Sequence, residues 1–273
     1  MESQATYHQL LDALAWQVEL GVDCAMAETP VNRYELPATE TRSPAPMPAA
    51  AGADPARPGA SPARAAAPVK QPEVDTVGIA RAAASAAADL DALKAAMTAY
   101  DHCELKRGAR NLVFSDGLPA ARVMIVGEAP GRDEDREGRP FVGPAGQMLD
   151  RMFDAIGLGR ANEAAPLYIT NVMPWRPPQN RDPKPEEMAM MLPFLERHVA
   201  LVDPDLIVLM GNIACVAGLG KRGITRLRGQ WGQAFGKPAL PMFHPAYLLR
   251  TPAAKREAWA DLLSLQARLE GLG

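Results

Sequence analysis

Residues 123–146 constrain the fold of this chain more than any other stretch. They open with four consecutive apolar residues, 123–126, which have the length and composition of a buried strand. A loop rich in glycine and proline begins at Gly127, and an apolar helical pattern follows over residues 148–158. A strand, a glycine-rich loop and a helix in this order predict an α/β fold. The loop would lie at the carboxyl end of the strand, where such sheets bind ligands.

The same loop contains five acidic residues that need a chemical reason: Glu128, Asp133, Glu134, Asp135 and Glu137. One interpretation is that aspartate side chains satisfy the backbone of the loop itself. A second, a phosphate-binding turn, fits neither glycine fingerprint, because G-x-G-x-x-G and a following Lys-Ser/Thr are both missing. Acids would also repel a phosphate. A site for a neutral ligand that uses carboxylate chemistry agrees better with the composition.

Strand and helix patterns alternate along the rest of the chain. The predicted strands are 168–171, 205–211 and 238–243, and the predicted helices are 186–202 and 253–269. This alternation predicts a three-layer α/β/α sandwich with a four-stranded, mostly parallel sheet. Three of the four strands lead into polar residues, Glu128, Asn171 and His244. We expect these residues to meet at one edge of the sheet.

The composition divides the chain into three parts. Residues 1–27 carry an apolar stripe at helical spacing and predict an amphipathic helix, which either docks on the main domain or binds a protein partner. Residues 28–76 are rich in Pro, Ala, Arg and Ser and predict a disordered linker, because they offer little apolar surface to offset ordering entropy. Residues 77–273 are predicted to form the folded domain, opening with an alanine-rich helix over 77–100.

Composition also argues against several classes of protein. The three cysteines, Cys24, Cys103 and Cys215, lie far apart, so no disulfide framework or C-x-x-C metal pair is visible. With no apolar run of membrane-spanning length and no signal-like segment, we expect a cytoplasmic, nucleoid-associated protein without membrane contacts. The net charge is −3, yet residues 220–256 contain eight Lys and Arg and no acid. Such a basic segment is suited to contacting nucleic-acid phosphates.

Five segments occur together in a characteristic order. They are Gly-Glu-Ala-Pro-Gly-x-x-Glu-Asp (127–135), Arg-Pro-Phe-Val-Gly (139–143), Thr-Asn-Val (170–172), Arg-Pro-Pro-x-Asn-Arg (176–181) and His-Pro-Ala-Tyr-Leu-Leu-Arg (244–250). In these segments the chain resembles the uracil-DNA glycosylase superfamily, most closely its family 4 branch. The resemblance covers roughly residues 98 to 265. It implies an enzyme that extrudes uracil from DNA and cleaves its N-glycosidic bond.

The resemblance also implies site residues. The catalytic candidates are Glu128, Glu134, Asp135 and His244. The uracil-binding candidates are Gly127, Ala129, Phe141 and Asn171. The DNA-binding candidates are Pro130, Gly131, Arg176, Tyr247, Leu248, Leu249 and Arg250, with Arg226 and Arg228 from the basic segment.

Each pocket residue has a chemical reason. An aromatic ring at Phe141 would stack on the base, and the amide of Asn171 would pair with O4 and N3–H of uracil. His244 would stabilise the uracil oxygen as negative charge develops there. A carboxylate would offset the sugar cation or position water. The sequence favours Glu128 for this role, because it directly follows the strand, but Glu134 stays a candidate.

Taken singly, these residues also have structural interpretations. Phe141 could be a core residue, Asn171 a strand-end cap and His244 a turn residue, whereas Glu134 and Asp135 could form a solvated charge run. Their joint occurrence in order favours the functional interpretation. The run 247–250 resembles the family's DNA-inserting loop, where an apolar wedge would hold the stack open.

The chain departs from family 4 at the iron–sulfur cluster. The four cysteine positions of that family fall on Tyr100, Cys103, Trp175 and Met191, so that one thiol is left. A cluster needs about four thiolate ligands, and we therefore expect no cluster and no other cofactor or metal. The large replacements would fill the vacated volume by packing, with Cys103 an ordinary buried thiol.

The sequence therefore predicts a monofunctional uracil-DNA glycosylase that leaves an abasic site and acts as a monomer. No lysine falls in the pocket segments, which argues against a lyase step through a Schiff base. Two alternatives stay open. One is a protein that binds uracil-containing or abasic DNA with little turnover, and the other is an enzyme acting on free nucleotides or nucleosides.

Overall fold

The four predicted strands form the centre of a larger sheet in the computed structural model, which describes residues 74–272. The strands are β1 (Asp116–Gly117), β2 (Val123–Gly127), β3 (Leu167–Asn171), β4 (Leu206–Met210), β5 (Gly232–Ala234) and β6 (Lys237–Met242). They are ordered β1-β3-β2-β4-β6-β5. The pairs β3–β2, β2–β4 and β4–β6 are parallel, whereas both edge pairs are antiparallel.

Ten α-helices lie within residues 74–272 and cover the sheet. They are α1 (Thr76–Ala86), α2 (Leu90–Ala99), α3 (Leu105–Gly108), α4 (Arg132–Glu137), α5 (Pro144–Asp154), α6 (Pro185–Val202), α7 (Asn212–Leu219), α8 (Ile224–Leu227), α9 (Pro245–Arg250) and α10 (Lys255–Glu270). Short 3₁₀ turns occupy Pro178–Asn180 and Pro252–Ala254. None of the helices in this part of the chain is long and apolar enough to cross a membrane.

Alternate residues of the sheet face two separate cores. Along β2, Met124 and Val126 belong to a buried cluster shared with α1, α2 and α6, whereas Val123 and Ile125 belong to one shared with α5 and α10. Both faces of a parallel sheet are therefore covered, which explains the unbroken apolar run of this strand. The predicted α/β fold is confirmed, and helices cover both faces of the sheet.

The predicted number of strands is wrong, since the sheet has six strands rather than four. The two additional strands are the short antiparallel edges, β1 and β5, which are only two and three residues long. Such short strands carry no recognisable two-residue period. The β5–β6 hairpin turns at Phe235 and Gly236, both with positive φ, as a two-residue hairpin of this kind requires.

The single helix predicted over residues 77–100 is divided in two. Asp89 interrupts it by capping α2, where its side chain accepts a hydrogen bond from the Ala92 N–H at 2.8 Å. Asp75 caps α1 in the same way through the Gly78 N–H, so the helix begins one residue before the predicted domain boundary. The predicted helix within residues 1–27 and most of the predicted linker lie outside the described residues.

Candidate active site

The carboxyl ends of the central strands meet at one edge of the sheet. Gly127 at the end of β2 pairs with Asn171 at the end of β3, and His244 follows the end of β6 by two residues. A cavity of about 560 Å³ opens at this edge. Its wall includes ten of the residues predicted from the sequence: Glu128, Ala129, Pro130, Gly131, Glu134, Phe141, Asn171, His244, Tyr247 and Arg250. The structure therefore brings together Glu128, Asn171 and His244.

Phe141 forms one wall of the cavity in an unusual backbone conformation. Its φ is +53°, and its buried ring stacks on the His244 ring with centroids 5.4 Å apart and planes inclined by 28°. The ring lies so close to β2 that a Cβ atom at Gly127 would come within 2.6 Å of it. Gly127 is therefore required for the approach of the aromatic ring, although it does not itself line the cavity.

The backbone of Phe141 is held in place from two sides. Arg160 donates hydrogen bonds to the carbonyl oxygens of Phe141 at 3.0 Å and Pro140 at 3.2 Å. Its guanidinium is itself ion-paired with Asp116 at 2.7 Å. Gly146 on α5 faces the same carbonyl, since a Cβ atom there would lie 1.7 Å from the Phe141 oxygen. Sequence reasoning missed Arg160, because no local pattern marks a residue that acts at a distance along the chain.

Asn171 presents an unpaired polar atom to this cavity. The residue is buried at the end of β3, and its Oδ1 is the one buried side-chain nitrogen or oxygen atom without a hydrogen-bond partner in the described part of the chain. A buried acceptor without a donor costs free energy, about 1–3 kcal/mol. Because Asn171 also lines the cavity, a ligand with an N–H group would recover that cost.

His244 is poised to donate a hydrogen bond from Nε2. As the residue that caps α9, it accepts a hydrogen bond at Nδ1 from the Ala246 N–H at 3.2 Å, which places the proton of the neutral ring on Nε2. Burial, with a smaller contribution from the Arg250 charge, lowers the pKa of His244 from 6.5 to about 4. The ring is therefore neutral at pH 7 and still a donor.

Glu128 has the free carboxylate of the site. The side chain is half-buried on the cavity wall and forms no hydrogen bond or ion pair within residues 74–272. Burial raises its pKa above the usual 4.5, the neighbouring Asp182 raises it further, and Arg222 lowers it. Asp182 and Arg222 form an ion pair at 2.7 Å that also lines the cavity. The sequence did not mark Asp182 and offered Arg222 only as one cation of the basic segment, because the two residues come from separate loops.

Glu134 uses its carboxylate to hold the backbone of the loop. Oε1 accepts hydrogen bonds from the N–H groups of Val142 at 3.0 Å and Gly143 at 2.9 Å, and Oε2 accepts one from Gly131 at 3.1 Å. The side chain thus ties the start of α4 to the start of α5. With three backbone donors on its two oxygens, the carboxylate has a structural function here.

Asp135 lies outside the cavity. Its buried Oδ1 accepts hydrogen bonds from the N–H groups of Arg110 at 2.8 Å and Asn111 at 3.3 Å. The predicted catalytic role of Asp135 is not supported by this position, because its carboxylate is directed to a neighbouring loop rather than to the cavity. Of the three carboxylates singled out from the sequence, Glu128 is the one available to a ligand.

Helix α9 separates the predicted DNA-inserting residues into two groups. Tyr247 and Arg250 line the cavity, and Leu249 is 42 % exposed. Leu248 is completely buried against α5, so it cannot serve as an exposed wedge in this conformation. The prediction for Leu248 is corrected: a helix directs neighbouring side chains about 100° apart, which turns this one into the core.

Some of the basic residues in 220–256 are neutralised by acids from other elements. Arg228 forms an ion pair with the buried Asp261 of α10 and also lies 5.8 Å from the centre of the Phe243 ring. Lys237 pairs with Asp203 at 2.5 Å. Arg228 is therefore not available as a DNA contact, contrary to the sequence prediction. The cations of this segment that form no ion pair within residues 74–272 are Lys221, Arg226, Arg250, Lys255 and Arg256.

The loop after β3 reaches the cavity in a constrained conformation. Gln179 and Asn180 both have positive φ, 54° and 53°, and Arg176 donates a hydrogen bond to the Asn180 side chain at 2.8 Å. Arg181 donates two hydrogen bonds to the buried carboxylate of Glu187, at 2.6 and 2.9 Å. The Arg181 guanidinium lowers the pKa of Glu187. This pair fixes the end of the loop to α6.

The four positions that correspond to cluster ligands lie in one apolar core. Tyr100, Cys103, Trp175 and Met191 are all buried in the cluster between the sheet and α6. The Tyr100 hydroxyl donates to the Thr76 carbonyl at 2.8 Å, and burial raises the pKa of the Cys103 thiol. One thiol among four side chains does not fit an iron–sulfur cluster. No group of three or more His, Cys, Asp or Glu within residues 74–272 is arranged to hold a metal ion.

The fold and this site agree with a known family. The sequence model of the uracil DNA glycosylase superfamily matches residues 114–263, more than half of the chain. The chain belongs to this superfamily.

Individual relatives are similar over most of their own length. The type-4 uracil-DNA glycosylase of Thermotoga maritima is 41% identical over 153 residues, 54% of this chain and 77% of the relative. That of Archaeoglobus fulgidus is 38% identical over 170 residues, 58% of this chain and 82% of the relative. That of Sulfurisphaera tokodaii is 36% identical over 177 residues, which are 61% of this chain and 79% of the relative.

Replacement of Gly146 by alanine should destabilise the domain, because the new Cβ atom would overlap the Phe141 carbonyl oxygen. We expect a loss of about 1–3 kcal/mol in the free energy of unfolding, as for other overpacked sites, measured by urea denaturation. Gly108→Ala is the matched control, since Gly108 lies in α3 with open space around the added atom. Equal stability of Gly146→Ala and the unmodified protein would contradict the described contact.

Proposed function

We propose that this chain is a DNA glycosylase that excises uracil from DNA and leaves an abasic site. The proposal is supported by membership of the superfamily and by the type-4 uracil-DNA glycosylases to which the chain is similar. The observation that carries it is the buried Oδ1 of Asn171, which has no partner within the described residues and lies on the wall of a cavity beside an aromatic ring. A pyrimidine such as uracil carries a ring N–H that can donate a hydrogen bond to this oxygen and a flat ring that can stack on the aromatic side chain.

Base recognition follows from the hydrogen-bonding pattern of the two pyrimidines. In uracil, N3–H is a donor and O4 an acceptor, which matches the Oδ1 acceptor and the amide donors of Asn171. In cytosine, N3 is an acceptor and the 4-amino group a donor, so the same amide orientation would face two mismatched groups. A site that leaves buried polar groups unpaired rejects such an analogue strongly. Phe141 would stack on the face of the base.

His244 would stabilise the departing base. When the bond between C1′ of the sugar and N1 of uracil breaks, its electron pair stays with the base, and negative charge develops on O2. The Nε2–H of His244 is a neutral donor for that charge, because Nδ1 is occupied by the Ala246 N–H. A hydrogen bond directed at a developing oxyanion in a water-poor site is worth about 10²–10³ in rate.

Glu128 would act on the water molecule that attacks C1′. The oxygen of water forms the new bond to the sugar, and its proton passes to the Glu128 carboxylate, which also offsets the positive charge of the sugar. A pKa raised by burial makes this carboxylate a stronger base than an exposed one. No lysine is among the cavity-lining residues of the described chain, so water rather than an amine is the proposed nucleophile.

DNA would lie across the mouth of the cavity. Arg250 and the exposed Arg226 would contact phosphates, Leu249 would support the disturbed stack, and Tyr247 lies on the cavity wall. Pro130 and Gly131 would approach the strand through their backbone, and Arg176 would act through the loop that it holds. These contacts replace the predicted contributions of Leu248 and Arg228.

Three substitutions test the assignment of roles by single-turnover release of uracil from an oligonucleotide. We expect Glu128→Gln to slow release by about 10²–10⁴ and His244→Ala by about 10²–10³. Asn171→Ala should weaken uracil-DNA binding by about 10–100-fold, since it removes both base contacts. Glu137→Gln, at an acid of the same loop outside the cavity, is the control. Tight binding of uracil-DNA without release by the unmodified protein would instead indicate a damage-binding protein.

The pH dependence of release should report the titration of Glu128. Activity is expected to fall as the pH drops through the pKa of this carboxylate, which lies above 4.5. Protonation of His244 would keep its Nε2 donor and therefore not cause that loss. Asp182→Asn removes a negative neighbour and frees Arg222, so the acid limb should move to lower pH, whereas Arg222→Gln should move it to higher pH. Shifts in the same direction in both variants would exclude Glu128 as the titrating group.

We also propose that the domain functions without an iron–sulfur cluster, since one thiol stands among the four corresponding positions. Protein purified without air should contain far less iron than the about four atoms of a [4Fe–4S] cluster, and a chelator should leave uracil release unchanged. The iron content of Trp175→Cys, a variant that has a second thiol among the four positions, shows how much iron binds adventitiously to thiols at this place. Stoichiometric iron and sulfide in the unmodified protein would contradict the proposal.

A further inference from the structure

A second cavity lies beside the candidate active site, on the far side of helix α9. It has a volume of about 440 Å³ and occupies the groove between α5 and α10. The two cavities share α9 as a common wall, since Tyr247 and Arg250 face the first, whereas Leu249 faces the second and the buried Leu248 lies at its base. Nothing in the proposed reaction uses this groove.

The groove exposes large apolar side chains to solvent. Trp259 is 44 % exposed and Leu249 is 42 % exposed, and both line the groove. Within residues 74–272 six large hydrophobic residues are exposed, and two of them line this one groove. An exposed apolar cluster of this kind indicates a binding surface.

The rim of the groove is positively charged. Arg151 on α5 and Lys255 at the start of α10 line it, and Arg250 and Arg256 adjoin it in the sequence. None of these four side chains forms an ion pair within the described residues. An exposed indole ring among unpaired cations offers a stacking surface together with contacts for phosphate groups.

We propose that this groove binds the DNA strand that continues from the extruded nucleotide, with one unpaired base stacked on Trp259. The inference rests on the proposed function, because that function places the strand at α9. Arg151 and Lys255 would contact the phosphates on either side of the stacked base. The groove would thus act as a subsite for single-stranded DNA next to the uracil pocket.

Continuity and distance favour DNA over a protein partner. A helix is about 10 Å across, so a strand that crosses α9 from the uracil pocket enters the groove within a few nucleotides. The positive rim matches phosphates, and an aromatic ring accepts any base. An amphipathic helix would match the apolar walls, but no helix among residues 74–272 occupies them.

The test compares two single-stranded uracil substrates, one with one nucleotide on each side of uracil and one with six. Trp259→Ala should raise KM about tenfold for the longer substrate, as expected for the loss of one base–aromatic stack. It should leave KM for the shorter substrate and both kcat values unchanged. Trp259→Phe should retain most of the difference in KM between the shorter and the longer substrate. Leu263→Ala, on the same helix outside the groove, should behave as the unmodified protein.

Removal of the stacked base provides a second, chemical variant. An abasic analogue placed two, three or four nucleotides from uracil should raise KM of the unmodified protein at one of these positions and cause no further rise in Trp259→Ala. Lys255→Ala should reduce the slope of log KM against log salt concentration by about 0.7, the value for one contact to single-stranded DNA. Folding of each variant is checked by its thermal unfolding.

The outcomes separate this inference from the proposed function. If the unmodified protein releases uracil but Trp259→Ala has the same KM on both substrates, the groove is not a DNA subsite, and the inference is wrong. If the unmodified protein releases no uracil, the proposed function fails. A titration of the protein's tryptophan fluorescence with an unmodified six-nucleotide strand then tests DNA binding in the groove independently of uracil release. Quenching of the fluorescence that disappears in Trp259→Phe supports binding in the groove, and quenching that is unchanged in this variant contradicts it.

Discussion

The position of the Phe141 ring depends on one carboxylate, that of Glu134. By accepting hydrogen bonds from Gly131, Val142 and Gly143, it closes the glycine-rich loop and fixes the two residues that follow Phe141. The positive φ of Phe141 is unfavourable for a large side chain, and such strain persists only where surrounding contacts determine it. Glu134 on one side and Arg160 on the other supply those contacts. Glu134, one of the acids that the sequence offered as catalytic candidates, therefore shapes the stacking surface.

With the ring fixed, the electrostatics of the cavity follow from burial. Burial keeps His244 neutral and raises the pKa of Glu128, so one group is a donor without charge and the other a base stronger than an exposed carboxylate. Both effects need a site from which water is largely excluded, and the stacked rings of Phe141 and His244 contribute to that exclusion. Burial also determines the effect of the unpaired Oδ1 of Asn171, because a buried acceptor without a partner favours a ligand that brings a donor.

The elements that sequence analysis predicted correctly are those whose signal is local. The four central strands are apolar runs, and their polar ends mark the edge where the cavity opens. What could not be predicted depends on partners distant in sequence. The sequence around Arg228 marks it as one cation of a basic segment, but Asp261, which lies 33 residues further along the chain, neutralises its charge. The burial of Leu248, the functions of Glu134 and Asp135, and the contact of Arg160 with Phe141 likewise require the fold, because each is decided by which element packs opposite.

The departure from the family 4 pattern can be understood as an exchange of one constraint for another. A cluster with four ligands would cross-link the segment around residue 100 to the loop after β3 and to α6. Here the same three segments meet in an apolar core, where Tyr100 packs edge-on against Phe194 at 5.4 Å and Trp175 is buried. The end of the loop is then tied to α6 by Arg181 and Glu187. Packing restrains the loop from one side and the ion pair restrains it from the other, so the residues that reach the cavity are held by contacts of the protein itself. Under the proposal that no cluster is bound, this packing and this ion pair would supply the restraint that four thiolate ligands would otherwise give.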